Sequence, residues 1–156
     1  INYLIMKKTI LILSIFTISL FIFGCTTNLE QSMQDMINQY KGNEIVNTFY
    51  TAMETKNYDL LDPHYSEEFL EVSSKEETEQ FYTSINNKLG NLIDYNITYV
   101  NFETMSTLGG TTKTTVLTIS SSYEKGEATE TLTIIEKNGI EKLHGWNINS
   151  KALILN

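Results

Sequence analysis

The chain has 156 residues, of which 41% are hydrophobic, and it carries 19 acidic residues against 11 basic ones, for a formal net charge of −8. This length is enough for one domain of ordinary size. All eleven basic residues are lysines, so the chain lacks arginine, the side chain best suited to forked phosphate and base contacts, and nucleic-acid binding is disfavoured. A single cysteine excludes an intramolecular disulfide framework and a cysteine-rich zinc site.

The first 24 residues have the layout of a secretory signal peptide. Lys7 and Lys8 precede an apolar run over residues 10–23, in which eleven of the fourteen residues are Ile, Leu or Phe. As a helix this run would span about 21 Å, well short of the hydrocarbon core of a bilayer. The pattern therefore favours a signal peptide over a permanent transmembrane helix, with translation expected to start at Met6.

The apolar run ends in Ile-Phe-Gly-Cys at residues 22–25. This stretch resembles the lipobox of bacterial lipoprotein signals, although Phe23 occupies a position where the family usually has a smaller residue. The resemblance implies diacylglyceryl transfer to the sulfur of Cys25 and cleavage between Gly24 and Cys25. The alternative is a conventional signal peptide in which Cys25 is merely a small apolar residue.

A lipid on Cys25 would attach the mature chain to a membrane of the cell envelope. The expected location is the outer membrane of a Gram-negative cell or the outer face of the plasma membrane of a Gram-positive one. Loss of Lys7 and Lys8 with the signal leaves a mature charge of −10, from 9 lysines minus 19 acids. Because anionic headgroups repel so acidic a protein, the lipid rather than the protein surface would hold it to the membrane.

Residues 25–42 are predicted to form the lipidated cysteine and a polar tether. The tether is expected to be partly helical, since its apolar residues recur at steps of three and four; a partner-binding helix is the alternative. These residues are Leu29, Met33, Met36, Ile37 and Tyr40. The folded domain is predicted over residues 43–150, followed by a C-terminal tail over residues 151–156.

Two helices are marked in the first half of this domain. Residues 44–56 show apolar residues at helical spacing, with Asn43 as the predicted N-cap. Ser74 and Glu77 form a capping-box pattern before a second apolar stripe, which Gly90 closes. The sequence therefore predicts helices over 44–56 and from residue 75 to about residue 89.

The segment between the two helices, and the half of the chain after Gly90, follow other patterns. Residues 58–61 predict a short turn, and the run Phe-Leu-Glu-Val at residues 69–72 predicts a short strand. After Gly90 the period becomes 2, with turn signals between the runs, which predicts a four-stranded antiparallel meander. The alternating residues are Tyr95, Ile97 and Tyr99; Leu117, Ile119 and Tyr123; Leu132 and Ile134; and Ile140, Trp146 and Ile148. The turn signals are Gly109-Gly110, Lys125-Gly126 and Asn138-Gly139.

Helices followed by antiparallel strands predict an α+β fold, with N-terminal helices packed on a curved, roughly four-stranded antiparallel sheet. This element order resembles the nuclear-transport-factor-two-like superfamily, also called cystatin-like, whose sheet forms a cone around helices. Residues 49–54, 84–90, 123–126 and 145–150 resemble small bacterial secreted or lipid-anchored members of unknown function. The resemblance covers about residues 44–150 and supports the fold more than a function.

Enzymes of that superfamily place Asp, His and Tyr side chains inside the cone. The weak catalytic candidates here are Asp62 and His64, which flank Pro63, and His144, which shares strand parity with Trp146. A surface loop and a hydrogen-bonded structural histidine are the favoured alternatives. The two histidines lack metal-ligand spacing, so no metal and no cofactor is predicted.

Aromatic residues on the patterned segments are candidates to line a pocket, since tyrosine combines an apolar ring with a polar tip. They are equally compatible with ordinary core packing. The candidates are Tyr50, Tyr82, Tyr95, Tyr99, Tyr123 and Trp146.

Together these features predict a lipid-anchored envelope protein whose domain binds a small apolar ligand or an envelope protein without catalysis. One alternative is an acid–base enzyme of the isomerase, dehydratase or cyclase type that acts on a hydrophobic small molecule in the cone. Another is a structural subunit of an envelope or secretion complex.

Overall fold

The computed structural model describes residues 29–108 and 110–155. The predicted signal, Gly24 and Cys25 lie outside the described residues. The chain divides into two compact units, Ile1–Met36 and Ile37–Asn156. Of the first unit, residues 29–36 are described, and they are helical. Among the described helices none combines the length and the apolar composition needed to cross a bilayer.

In the second unit, residues 37–41 are helical and are called α1 here. Within that unit Ile37 and Tyr40 are buried, and the Tyr40 hydroxyl lies 3.0 Å from the hydroxyl of Thr115. The packed unit therefore begins before the predicted domain boundary at residue 43, and the end of the predicted tether belongs to the core.

The two predicted helix starts are confirmed. Helix α2 covers Glu44–Thr55, and the Asn43 side chain accepts hydrogen bonds from two backbone N–H groups of its first turn. Helix α4 covers Lys75–Leu89, and Ser74 and Glu77 form the reciprocal capping box.

The connection between these helices contains two short helices. A 3₁₀ helix, η1, covers Tyr58–His64, and helix α3 covers Glu67–Val72. The strand predicted over residues 69–72 is therefore wrong. The backbone N–H of Phe69 donates to the Ser66 side chain, which caps α3, and a run of four residues with three apolar ones is too short to distinguish a strand from a helix.

The second half is a four-stranded antiparallel sheet in the order β1-β2-β3-β4, which confirms the α+β fold. The strands are β1 Leu92–Thr107, β2 Gly110–Tyr123, β3 Gly126–Lys137 and β4 Ile140–Asn149, and a short helix α5 follows at Ala152–Leu155. Asn138 and Gly139, with φ of 54° and 77°, join β3 to β4 in the tight turn that their sequence predicts.

Bulges change which face of the sheet several side chains occupy. In β1 the partners step from Ile97↔Ile119 to Tyr99↔Thr118, so Thr98 is an extra residue. A bulge reverses the inward and outward alternation beyond it. Tyr99 is consequently 49% exposed, and Val100 is buried in its place.

A bulge also lies in β4. Ile134 pairs with Leu143 and Thr133 pairs with Gly145, which leaves His144 as the extra residue. Leu143 is fully buried, whereas His144 is only partly buried and Ile140 is exposed. The bulges therefore leave Tyr99 and Ile140 exposed and His144 only partly buried, although each shares strand parity with inward-facing residues.

Candidate functional site

The most unusual side chain of the core is Glu130, an acid with no exposed surface. It lies in β3, in the same inward-facing row as Leu132 and Ile134, and pairs across the ladder with Ile119 and Ile148. Buried carboxylates are rare in proteins unless they are paired or fully hydrogen-bonded. Glu130 therefore defines the polar centre of the domain.

Four side chains from three elements donate hydrogen bonds to Glu130. Oε2 accepts from the Tyr50 hydroxyl at 3.0 Å and from Nε1 of Trp146 at 2.8 Å. Oε1 accepts from the Tyr123 hydroxyl at 2.9 Å and from the Ser121 hydroxyl. A carboxylate offers about four acceptor positions, so these donors use all of them.

The tyrosines of this cluster are held in their protonated form. Burial, reinforced by the Glu130 carboxylate, raises the pKa of Tyr50 and of Tyr123 well above the ordinary value of 10.0. Both hydroxyls are therefore donors throughout the physiological pH range. Because Tyr50 comes from α2 while Ser121, Tyr123 and Trp146 come from the sheet, the cluster fixes α2 against the sheet.

Aromatic rings fill the space around this centre. The ring of Tyr50 stacks on Tyr95 with centroids 3.6 Å apart and planes within 10°. Tyr82 packs edge-to-face against Trp146 at 5.2 Å and against Phe49 at 5.8 Å. Five of the six aromatic candidates from the sequence thus belong to one packed cluster, and Tyr99 lies on the other face of the sheet.

Two of the three catalytic candidates, Asp62 and His144, each have a partner outside the set. The Asp62 carboxylate pairs with Nζ of Lys75 at 2.7 Å on the surface. Nδ1 of His144 lies 3.0 Å from the hydroxyl of Ser66, while His64 ends η1 in a partly exposed position. The structure therefore does not bring these residues together as an acid–base pair.

The hydrogen bonds at Ser66 fix the role of His144. The Ser66 oxygen accepts from the backbone N–H of Phe69 and lies 3.0 Å from Nδ1 of His144. The contact between His144 and Ser66 is structural, because it joins the cap of α3 to strand β4.

A groove of about 470 Å³ runs between the η1–α3 connection and the hairpin of β3 and β4. Ile135 and Ile140 line it together with charged residues of its rim. Lys142 crosses the rim and donates from Nζ to the carbonyl of Pro63 at 2.6 Å, and Lys137 pairs with Glu68. The groove is thus apolar at its base and charged at its edges.

Metal binding has no support in the described part of the chain, where no group of three or more His, Cys, Asp or Glu side chains is arranged to hold an ion.

Sequence reasoning missed Glu130 and Ser121. The available signal was strand parity, since Glu130 interrupts the inward row of Ala128, Leu132 and Ile134 with an acid. Its four donors lie between 7 and 80 residues away along the chain, so parity could indicate a buried acid but not its partners.

The chain matches no protein-family model, no curated protein and no solved structure at a significant level.

Proposed function

We propose that this chain is a lipid-anchored cell-envelope protein whose folded unit is a binding module rather than an enzyme. The anchor is the lipid on Cys25, and the location is the outer membrane or the outer face of the plasma membrane. Cys25 supports this as the single cysteine of the chain, directly after Gly24 at the end of the apolar run. Two or more acyl chains are enough for a stable anchor.

The hydrogen bonding of Glu130 is the observation that favours a binding module. A general acid or base needs a free position within hydrogen-bond reach of a substrate. All acceptor positions of Glu130 are used by protein donors, and aromatic rings pack around it. This arrangement supports a rigid scaffold and disfavours acid–base chemistry in the cone.

The groove that contains Ile135 and Ile140 is the binding surface we propose. Its volume of about 470 Å³ is within the range of small-molecule sites. The exposed side chain of Ile140 and the buried one of Ile135 offer apolar contact, and Lys142 lies at the rim. A small ligand with an apolar body and a polar end fits this chemistry.

The lipid anchor is tested by growing cells that express the full chain with a clickable fatty acid and measuring label on the protein. We expect label on the natural chain and none on Cys25→Ser. The matched control carries Cys25→Ser together with Thr27→Cys, which restores a thiol two residues away and should stay unlabelled. Label on either variant would contradict the anchor at Cys25.

The binding proposal is tested by native mass spectrometry of the mature chain released from cells, compared with its denatured mass. We expect a bound adduct that Ile140→Asp removes. Ile93→Asp is the matched control, because Ile93 is about equally exposed, at 66% against 61%, but lies on β1. The absence of any adduct, or equal loss in both variants, would contradict a ligand in this groove.

A further inference from the structure

The strand β1 carries an acceptor sequence for a covalent modification. Of the fifteen asparagines in the sequence, only Asn96 is followed two positions later by Ser or Thr, as Asn-Ile-Thr at residues 96–98. Asn-x-Ser/Thr without an intervening proline is the acceptor pattern for N-glycosylation of exported chains.

The folded domain leaves this asparagine accessible. Asn96 and Thr98 are exposed, whereas Ile97 between them is buried. Asn96 pairs with Ser120, which is also exposed, on the face of the sheet opposite the aromatic cluster. Among the described residues no hydrogen bond engages the side-chain amide of Asn96. A sugar attached to its nitrogen would extend into solvent without displacing the core.

We propose that Asn96 is a site of N-linked glycosylation whose donor is an oligosaccharide carried on a polyprenyl diphosphate. The Nδ2 nitrogen attacks the anomeric carbon of the sugar, and a C–N bond forms. The bond from that carbon to the diphosphate oxygen breaks, and the polyprenyl diphosphate leaves with the electron pair. The amide proton passes to a base of the transferase, so the reaction needs no oxidant or reductant.

The fold also sets when this transfer takes place. The Thr98 hydroxyl donates to the carbonyl of Thr118 at 3.1 Å, and β1 is paired to β2 on both sides of Asn96. The hydroxyl two residues after the asparagine is part of the acceptor pattern, and in the folded domain it is already engaged. Transfer therefore precedes the pairing of β1 with β2, while the chain emerges from the membrane.

A sugar at this position would protect an edge of the sheet. In the order β1-β2-β3-β4, β1 pairs with β2 and has no second neighbour among the described residues. Exposed edge strands invite pairing with other chains, and proteins blunt them with bulges, charges or bulky cover. The bulges at Ile93 and Thr98 flank Asn96, so the glycan would add cover where the strand is already irregular.

The glycosylation proposal rests on the proposed export of the chain, and the test distinguishes a failure of glycosylation from a failure of export. The full chain is expressed in a secreting bacterial host that has an N-oligosaccharyltransferase and its lipid-linked oligosaccharide. One form keeps residues 1–24, and a second form carries a well-characterised secretory signal instead. We measure gel mobility and intact mass, and expect one added oligosaccharide on the exported chain.

The variants identify the acceptor. Asn96→Gln and Thr98→Ala should remove the added mass, and Thr98→Ser should keep it, because serine also supplies the hydroxyl. Asn101→Gln on the same strand is the matched control and should not change it. Purified folded protein incubated with the transferase should gain no more than a tenth of the sugar gained by a peptide covering residues 92–104.

The outcomes are distinguishable. An exported chain that stays unmodified behind the replacement signal overturns the glycosylation proposal, as does added mass that persists in Asn96→Gln. If the replacement form is modified while the native form stays in the cytoplasm, export by residues 1–24 fails and the acceptor site stands.

Discussion

The indole Nε1 of Trp146 donates to Oε2 of Glu130 across 2.8 Å. This bond joins the side chain of an edge strand to the one acid in the inward-facing row of β3. Trp146 is the single tryptophan of the chain, so its fluorescence reports directly on the environment of Glu130. The polar centre of the domain can therefore be followed spectroscopically without a label.

Glu130→Gln should lower the free energy of unfolding by about 2 kcal/mol. The reason is that the amide nitrogen of the new glutamine is a hydrogen-bond donor and would face other donors. Trp146 can only donate, so its indole loses an acceptor when the amide nitrogen faces it. Urea unfolding followed by Trp146 fluorescence measures the change, and the emission spectrum of the folded state should shift as well.

Glu136→Gln is the control for that substitution. Glu136 lies on the same strand, is 35% exposed, and pairs with Lys113 across 3.7 Å. Since exposed ion pairs contribute little, we expect a change below about 0.5 kcal/mol. Equal effects of the two substitutions would show that Glu130 is not the hydrogen-bonded centre we describe.

Tyr50→Phe and Tyr99→Phe should separate two tyrosines that the sequence offers alike as pocket candidates. Tyr50→Phe keeps the ring stacked on Tyr95 but removes a donor to a buried carboxylate, which should cost about 2 kcal/mol. Tyr99 is half exposed, so its substitution should change the free energy of unfolding by less than about 0.5 kcal/mol. A larger effect of Tyr99→Phe in chemical denaturation would contradict the bulge at Thr98.

Stability should fall in alkaline solution because of the buried tyrosines. Burial raises the pKa of Tyr65 from 10.0 to about 12, and the pKa values of Tyr50, Tyr82 and Tyr123 are also raised. Above about pH 10 the unfolded chain has therefore lost protons that the folded chain keeps, so the free energy of unfolding falls as pH rises.

Urea unfolding at a series of pH values from about 9 to about 12 measures this slope, with phenolate absorbance recorded in parallel. The buried tyrosines should ionise together with unfolding. A variant with Tyr50→Phe and Tyr123→Phe has fewer such groups and should show a shallower slope. Ionisation of Tyr50, Tyr82 and Tyr123 before any loss of structure would refute the burial of these hydroxyls.

Gly90→Ala should destabilise the domain more than Gly139→Ala. Both glycines have positive φ, 80° and 77°, which costs a residue with a Cβ about 1 kcal/mol. At Gly90 the added Cβ would lie 2.5 Å from Oε2 of Glu124 and 2.8 Å from its Cβ, whereas at Gly139 nothing lies within 4 Å.

The Glu124 side chain cannot move away freely, because it accepts hydrogen bonds from the backbone and the side chain of Asn91 at 3.0 Å each. We expect Gly90→Ala to cost at least about 1 kcal/mol more than Gly139→Ala. Thermal or urea unfolding of both variants measures the difference, and equal costs would mean that Glu124 does not hold the end of α4 against the hairpin of β2 and β3.

The local signals of the sequence were sufficient for much of the fold. The caps at Asn43 and Ser74 and the turn at Asn138 depend on residues within four positions of each other, so their structures could be predicted. The change of period from 3.6 to 2 after Gly90 likewise separates the helices from the meander. The exception is α3, where the run Phe-Leu-Glu-Val at residues 69–72 predicts a strand but the cap at Ser66 begins a helix.

Strand parity determined which residues face the core only as far as the first bulge. Tyr95 and Ile97 follow the alternation, but the extra residue Thr98 turns Tyr99 outward, and His144 does the same in β4. A bulge depends on how one strand fits its neighbour, and that information lies more than ten residues away. For this reason parity alone did not place Tyr99 and His144, which lie outside the aromatic cluster.

The sequence by itself determined the helix ends, the turns, the α+β order and the signal-like N-terminus, because each depends on neighbouring residues or on a short period. Only the tertiary structure decided that Tyr50, Ser121, Tyr123 and Trp146 would meet at Glu130. Their hydrogen bonds require α2, β2 and β4 to be packed around β3, and a buried carboxylate is stable only when all these donors arrive together.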